Sequence, residues 1–387
     1  MKLSRSRPLQ AVSPVVAFAA CLAWTALSGG HTVKAQETNS TAPPAPAPPT
    51  ATPAAGAPQG AGGGQVRAAG RGRGRAPVVD TLGQGPWDLK SELVNIHVTV
   101  VTKGLDHPWG LAILPDGDML VTERPGRLRM IRKGVLDPTP IGWLPEIRAA
   151  VLGGLMDIAL HPKFAENHLI YFTYSKPGKE DAAHAATAVA RGRWDGGSTL
   201  ADVKDIFVAD YFGGQGAPRG CCGQGPSDGS YGSRLVFDRA GFLYVTIGDR
   251  NYGELAQDSS SNIGKIVRLR DDGTVPPDNP FVGESGYRPE IYTVGHRNPL
   301  GLTIHPVTGE IWETEFGPRG GDELNRIQGG KNYGWIKVTK GEHYNGEPSE
   351  KSLPGMEEPV LYWVPVINPG NPIFYKGDRF RCGRATW

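Results

Sequence analysis

Apolar and polar positions along this chain follow a strand-turn-strand pattern from about residue 93 onward, with little helical periodicity of any length. In HPWGLAILPDGDMLVTERPGRL (107–128) an apolar run leads through a Pro-Asp-Gly turn into a second apolar run and a polar turn, the signature of a hairpin. The same unit returns in DIALHPKFAENHLIYFTYS (157–175), RLVFDRAGFLYVTIGDR (234–250) and GLTIHPVTGEIWETEFGP (301–318). Its turns fall near 116, 162, 240 and 307, so the spacings are 46, 78 and 67 residues. One antiparallel unit repeated with insertions of variable length predicts an all-β chain, and a β-propeller in particular. A sandwich would also supply many strands, but not one hairpin signature four times. A fifth unit opens at NPIFYKGDRF (371–380).

The segment before residue 93 has a different character. Residues 1–35 read as a signal peptide: Lys2, Arg5 and Arg7 precede the apolar run AVSPVVAFAACLAWTAL (11–27), and Val33-Lys34-Ala35 fits a small-residue cleavage site. The run is short and broken by Pro14, so no integral membrane span is expected. Phe18-Ala19-Ala20-Cys21 offers a lipoprotein alternative, with an anchor on Cys21. Either route predicts a periplasmic or secreted protein. Residues 36–92 are rich in Pro, Ala, Gly and Thr and include RGRGR (71–75), a composition that cannot bury enough apolar surface to offset its ordering entropy. They are expected to be a disordered linker leading to a folded domain over 93–387.

Charge narrows the partners. The 387 residues carry 41 basic and 39 acidic side chains, a formal net charge of +2, which argues against a nucleic-acid partner or a membrane-surface role. Four cysteines are too few for a disulfide scaffold. Cys221 and Cys222 are adjacent in the Gly-rich CCGQG, where either a strained vicinal disulfide or two free thiols would fit.

The candidate chemistry gathers in GHRNPLGL (295–302), EFGPRGGDELNRI (315–327) and GGKNYGW (329–335). Arg297 and Asn298 offer a fork of donors plus an amide, suited to a planar, multiply carboxylated ligand. The Gly317-Pro318 corner exposes main-chain carbonyls of the kind that bind hard cations, and Asp322 and Glu323 follow it. A plain set of turns in a β-rich protein would read the same way on composition alone.

In order along the chain, HPWGLAILPDGDMLVTER, GGLMDIALHPKF (153–164), YGSRLVF (231–237), VTIGDR (245–250), GKIVRLRDDGTVPPDNPF (264–281), GHRNPLGL, EFGP, Asp322-Glu323 and NYGW resemble the soluble aldose sugar dehydrogenases of the glucose/sorbosone dehydrogenase family, which depend on pyrroloquinoline quinone (PQQ). The resemblance covers nearly all of 95–380. It implies a six-bladed β-propeller of four-stranded antiparallel blades, with PQQ on the axis and a calcium ion against the quinone. It places Arg297 and Asn298 at the PQQ contacts, the carbonyls of Gly317 and Pro318 at the PQQ-associated calcium, and Glu323 and Tyr333 at a second calcium. Asp249 matches the acid that orients a catalytic histidine. The implied reaction oxidises the C1 hydroxyl of an aldose sugar to a lactone and passes electrons to a quinone or dye-like acceptor.

Three departures stand out. Ser230 occupies the position of the family's histidine base, and no histidine occurs between His184 and His296. A serine is no general base without a partner to deprotonate it. His296 is the best substitute, whereas His161 and His305 precede prolines in hairpin turns and read as structural. Leu152 stands where a glutamine is usual. Finally, Arg381–Trp387 replaces the Trp-x-Gly-Asn-Leu type of strand expected after Phe380, so a frameshift and a propeller truncated within its fifth blade are expected. Two rival readings follow: an inactive binding propeller of the same family, and a calcium-dependent propeller lactonase.

Overall fold

The structure, a computed structural model, describes residues 85–90, 95–179, 184–210 and 229–377. The expected signal peptide with Cys21, most of the expected linker, Cys221, Cys222 and the tail from 378 lie outside them. A two-stranded ribbon comes first: β1 (Trp87–Lys90) pairs antiparallel with β2 (Asn95–Val98). Strand structure therefore starts ahead of residue 93, inside the expected linker. Trp87, Leu89, Ile96 and Val98 alternate with polar residues in ladders too short to stand out against a Pro/Gly-rich background.

Four four-stranded antiparallel sheets follow, each a simple meander in chain order. Sheet I comprises β3 (Pro108–Ile113), β4 (Met119–Glu123), β5 (Arg127–Arg132) and β6 (Val135–Leu136). Sheet II comprises β7 (Leu155–Leu160), β8 (Leu169–Pro177), β9 (Ala185–Arg193) and β10 (Ala201–Val208), with the one-turn helix α1 (Phe164–Asn167) inside its first hairpin. Sheet III comprises β11 (Gly232–Phe237), β12 (Leu243–Ile247), β13 (Lys265–Leu269) and β14 (Ile291–Val294). Sheet IV comprises β15 (Pro299–Ile304), β16 (Ile311–Glu315), β17 (Asp322–Ile327) and β18 (Leu361–Trp363). Each hairpin unit legible in the sequence forms the first two strands of one sheet. Their turns close as the pattern predicts: in the first, Gly117 sits at φ 90° and donates to Leu114 O at 2.9 Å.

The sheets stack face to face, as the blades of a β-propeller do. Leu120, Leu128 and Met130 of sheet I pack with Leu155, Phe172 and Ala190 of sheet II. Tyr171 and Val189, facing the other way from sheet II, pack with Leu243, Val245 and Val267 of sheet III. Tyr244 and Ile266 then meet Leu302, Ile311 and Ile327 of sheet IV. Interior strands are thus apolar on both faces, which is why β8 and β12 read as near-continuous apolar runs rather than clean alternations.

A repeated threonine joins the sheets. Thr122, Thr173 and Thr246, each on the second strand and each buried, accept a hydrogen bond from the first strand of their own sheet: from Gly110 N at 2.8 Å, Asp157 N at 2.8 Å and Arg234 N at 2.9 Å. Each hydroxyl donates in turn to a carbonyl on the first strand of the next sheet: Met156 O, Ser233 O and Pro299 O. Thr314 of sheet IV repeats the device by donating to Gly370 O at 2.9 Å, while Asn371 Oδ1 accepts from Leu302 N at 2.7 Å. Residues 370–374 therefore run beside β15 as each first strand runs beside its predecessor, and Phe374 packs edge-on to His305 and Trp312. No helix among the described residues is long and apolar enough to cross a membrane.

Candidate functional site

The predicted site residues converge where sheets III and IV meet. Gly295 turns the chain out of β14 at φ 83°, and a Cβ there would stand 2.3 Å from Asn332 Oδ1, so only glycine fits. Arg297 follows, clamped on both sides of its backbone: its N–H donates to Glu315 Oε2 at 2.6 Å and its carbonyl accepts from Asp249 N at 2.7 Å. Its guanidinium, only 8 % exposed, donates from Nη1 to Phe316 O at 2.8 Å and Gly317 O at 3.0 Å. Arg297 Nε is buried and has no hydrogen-bond partner. The rings of Trp335 and Tyr344 lie 5.6 and 5.9 Å from the guanidinium carbon. Asn298 is buried as well, with its Oδ1 accepting from Gly232 N at 3.1 Å and so bracing β11.

Gly317 and Pro318 form the expected corner. Asp322 orders it by accepting from Gly317 N at 2.9 Å and from Ile367 N and Asn368 N at 2.8 Å, a role for Asp322 that the sequence did not reveal. A narrow cavity of about 10 Å³ opens between Arg297, Glu315, Gly317, Glu323, Tyr333 and Trp335. That is room for one water or one ion. Of the residues expected around the two calcium ions, Gly317, Glu323 and Tyr333 line this cavity and Pro318 does not. The Tyr333 hydroxyl, however, donates to Arg326 O at 2.7 Å and accepts from Gln328 N at 2.9 Å, so it is engaged in closing its own loop.

Asp249 is fully buried, and its environment departs from expectation. Its Oδ2 accepts from Trp335 Nε1 at 2.7 Å and its Oδ1 from Asn251 N at 2.8 Å. Ser230, in the left-handed region at φ 48°, donates from Oγ to Asn251 Oδ1 at 2.7 Å. Asn251 thus bonds both Asp249 and Ser230, and the serine bonds an amide oxygen rather than a base. His296 does not replace the missing histidine either. It is sealed from solvent, with Nε2 against Thr293 Oγ1 at 2.9 Å and its ring stacked on Tyr333 at 4.8 Å. Substrate cannot reach it, which corrects its reading as the substitute base. His161 and His305 are structural, as expected, each accepting main-chain N–H bonds at Nδ1. Leu152 is exposed.

Beneath Arg297 lies a group that the motifs missed. Glu313 and Glu315 share one face of β16, opposite Asn325 and Glu323 of β17. Burial and the neighbouring Glu315 push the Glu313 carboxyl well above its usual range, and the same two causes raise Glu323 to about 8. Only the period of two in the segment Trp312-Glu313-Thr314-Glu315, read as a doubly buried strand, could have signalled it.

Residues 105–384 match the family model described as Glucose / Sorbosone dehydrogenase. The chain belongs to the glucose/sorbosone dehydrogenase family. It is 40 % identical over 291 residues to the aldose sugar dehydrogenase YliI of Escherichia coli, covering 74 % of this chain and 75 % of that one. It is 44 % identical over 305 residues to an uncharacterised protein of Synechocystis, covering 73 % and 70 %. Among solved structures, the apo-form of the E. coli soluble aldose sugar dehydrogenase aligns with a TM-score of 0.65 at 40 % identity, covering 72 % of this chain and 78 % of that one. The PQQ-bound aldose sugar dehydrogenase of Streptomyces coelicolor aligns at 0.55 and 31 % identity, covering 69 % and 70 %. These likenesses make the chain a relative of sugar-oxidising oxidoreductases on a propeller fold.

Proposed function

We propose that this glucose/sorbosone dehydrogenase family chain binds PQQ and calcium and oxidises the C1 hydroxyl of aldose sugars to lactones. One observation carries the reading: Arg297 is held by its backbone between Glu315 and Asp249, and its buried Nε–H has no partner beside a cavity of ion size. A planar acidic quinone offers the acceptor that this donor lacks, and the Streptomyces coelicolor relative binds PQQ. Arg297 and Asn298 would hold the cofactor. The carbonyls of Gly317 and Pro318 would hold the PQQ-associated calcium, and Glu323 with Tyr333 a second one. When bound, the quinone supplies the hydride acceptor. The chain itself contributes a fixed positive charge at Arg297, its orientation set by Phe316 O and Gly317 O, so that no reorganisation is needed as negative charge develops nearby. Asp249 keeps the Trp335 indole and the Asn251 backbone in place.

The second reading, a propeller that binds without turning over, is favoured by Ser230. Its hydroxyl proton goes to an amide oxygen, and no histidine among the described residues bonds it. One titration separates the two. PQQ with calcium should quench the tryptophan fluorescence of the chain, and adding glucose with an electron-accepting dye should then give reduction that saturates in sugar. Binding without reduction selects the second reading, and no binding refutes both.

The propeller would close with six blades, an arrangement supported by the apolar residues exposed on its end faces, Leu111 and Ile113 on β3 and Leu361, Val364 and Ile373 at the other end. Export to the periplasm or beyond, through the segment 1–35 and the linker that follows, completes the reading, and cell fractionation tests it.

A further inference from the structure

We propose that His296 Nδ1 and the carboxylates of Glu313 and Glu315 form a buried binding site for a divalent transition ion of the Mn²⁺ or Zn²⁺ class. This site adjoins the ion-sized cavity at Gly317, with which it shares Glu315, and does not depend on the cofactor reading. Ligand atoms of the three residues all lie within 4.8 Å of one another, and His296 Nδ1 is 3.5 Å from Glu315 Oε1. All three residues are at most 4 % exposed. Such a group could be a mere cluster of acids, but its unpaired atoms say otherwise. His296 Nδ1 and Glu313 Oε1 are buried without any hydrogen-bond partner. Leaving such atoms unpaired is costly, and the two share a single remedy, a cation between them.

The surrounding bonds are those of a metal site's outer layer. His296 is oriented by Thr293 Oγ1 at Nε2, which leaves Nδ1 turned toward the carboxylates. Glu315 is fixed through Oε2 by Arg297 N, leaving Oε1 toward the histidine. Asn325 Nδ2 lies 3.1 Å from Glu313 Oε2, 3.3 Å from Glu315 Oε1 and 3.3 Å from Glu323 Oε2, so one amide serves three carboxylates. Rotating that amide by half a turn would present its oxygen to the ion instead. Glu315 and Glu323 stand directly opposite each other across β16 and β17, an arrangement that repels without a counter-charge. The Arg297 guanidinium, turned to Phe316 O and Gly317 O, does not supply it. A proton on Glu313 could join its oxygen to Nδ1 but would leave Glu315 outside the bond, whereas an ion joins the imidazole and both carboxylates at once. The imidazole selects the metal class, because calcium and magnesium take oxygen donors while imidazole suits zinc and its neighbours. Through Glu315 the ion would anchor the carboxylate that clamps Arg297.

The test is metal content and stability of the whole chain, with no activity assay. Protein incubated with Mn²⁺ or Zn²⁺ and then dialysed without metal should retain about one equivalent by elemental analysis, and its melting temperature should rise with the ion. Glu313→Gln, nearly the same shape, should lower affinity at least about 100-fold and abolish that rise, while Glu310→Gln, outside the cluster and paired with Arg326, should keep both. Circular dichroism would confirm that each variant is folded. The proposal is overturned if the wild type retains no transition metal, or if Glu313→Gln retains as much. It is also overturned if Glu313→Gln raises the melting temperature in the absence of metal and the wild type does not respond to it, which would mean that the cluster holds protons.

Discussion

Thr246→Val swaps a hydroxyl for a methyl at almost constant volume, and so isolates the hydrogen bonds by which sheet III holds the strand that presents Arg297 and Asn298. Thr246 is fully buried. The change removes the acceptor of Arg234 N at 2.9 Å and the donor to Pro299 O at 2.8 Å. Each main-chain group left without this partner costs about 1–3 kcal/mol, and the added methyl returns about 0.8 kcal/mol of apolar burial. The expected net loss is about 1–5 kcal/mol. In a domain of this size each kcal/mol lowers Tm by about 2–4 °C, so thermal unfolding followed by circular dichroism should show a drop of about 2–20 °C. Thr246→Ser keeps the hydroxyl and loses only a methyl, which should cost about 1 kcal/mol and about 2–4 °C. The order, valine worse than serine, is the diagnostic. A valine variant within about 2 °C of wild type, or a serine variant less stable than valine, would show that burial rather than the bridging hydroxyl joins the sheets.

Three further outcomes are expected. Trp335→Phe removes the indole N–H from Asp249 Oδ2 and should cost about 1–3 kcal/mol in urea unfolding, with Asp249→Asn on top of it adding less than it does alone, because the two share one bond. His161 is held below its ordinary pKa mainly by burial, despite Asp271 at 3.5 Å, and its Nδ1 accepts the Lys163 N–H. The unfolded chain then binds more protons than the folded one as pH falls through 6.5, so stability declines toward acid, and His161→Gln should flatten the urea midpoint between about pH 6.5 and 5. Ser230→His restores a base at a left-handed position that histidine tolerates better than most residues, and should raise dye reduction with aldose, PQQ and calcium by about 10²–10⁴-fold. No gain would show that the missing base is not what limits turnover.

The hairpins were legible because each begins a sheet with an uninterrupted strand, a turn held by Asp, Pro or Gly, and a second strand. The third and fourth strands were not, since they arrive after insertions of different length and some are very short, as with Val135–Leu136. The threonine bridges were invisible for another reason. A threonine in a strand is ordinary, and only the stacking of sheets shows that four of them sit at equivalent places. Arg297, Gly317 and Glu323 come together around one cavity because they lie within one short run of sequence that also folds together. That Asn251 bonds both Ser230 and Asp249 has no sequence signal.

What binds these observations is the direction in which Arg297 is held. Its side chain bonds the corner at Phe316 and Gly317, yet its backbone is fixed from below by Glu315 and from beside by Asp249. Glu315 in turn faces His296 and Glu323, and Asp249 holds Trp335, whose ring returns toward the guanidinium. The site is therefore a closed loop of buried polar groups in which no member can move alone, and a change of charge at Glu315 would be felt at Arg297 through one hydrogen bond. The groups that hold Arg297 in place do not include Ser230, where the resemblance expects a histidine. Binding and turnover can separate in such a protein, because the groups that hold the arginine are not the group that takes the proton.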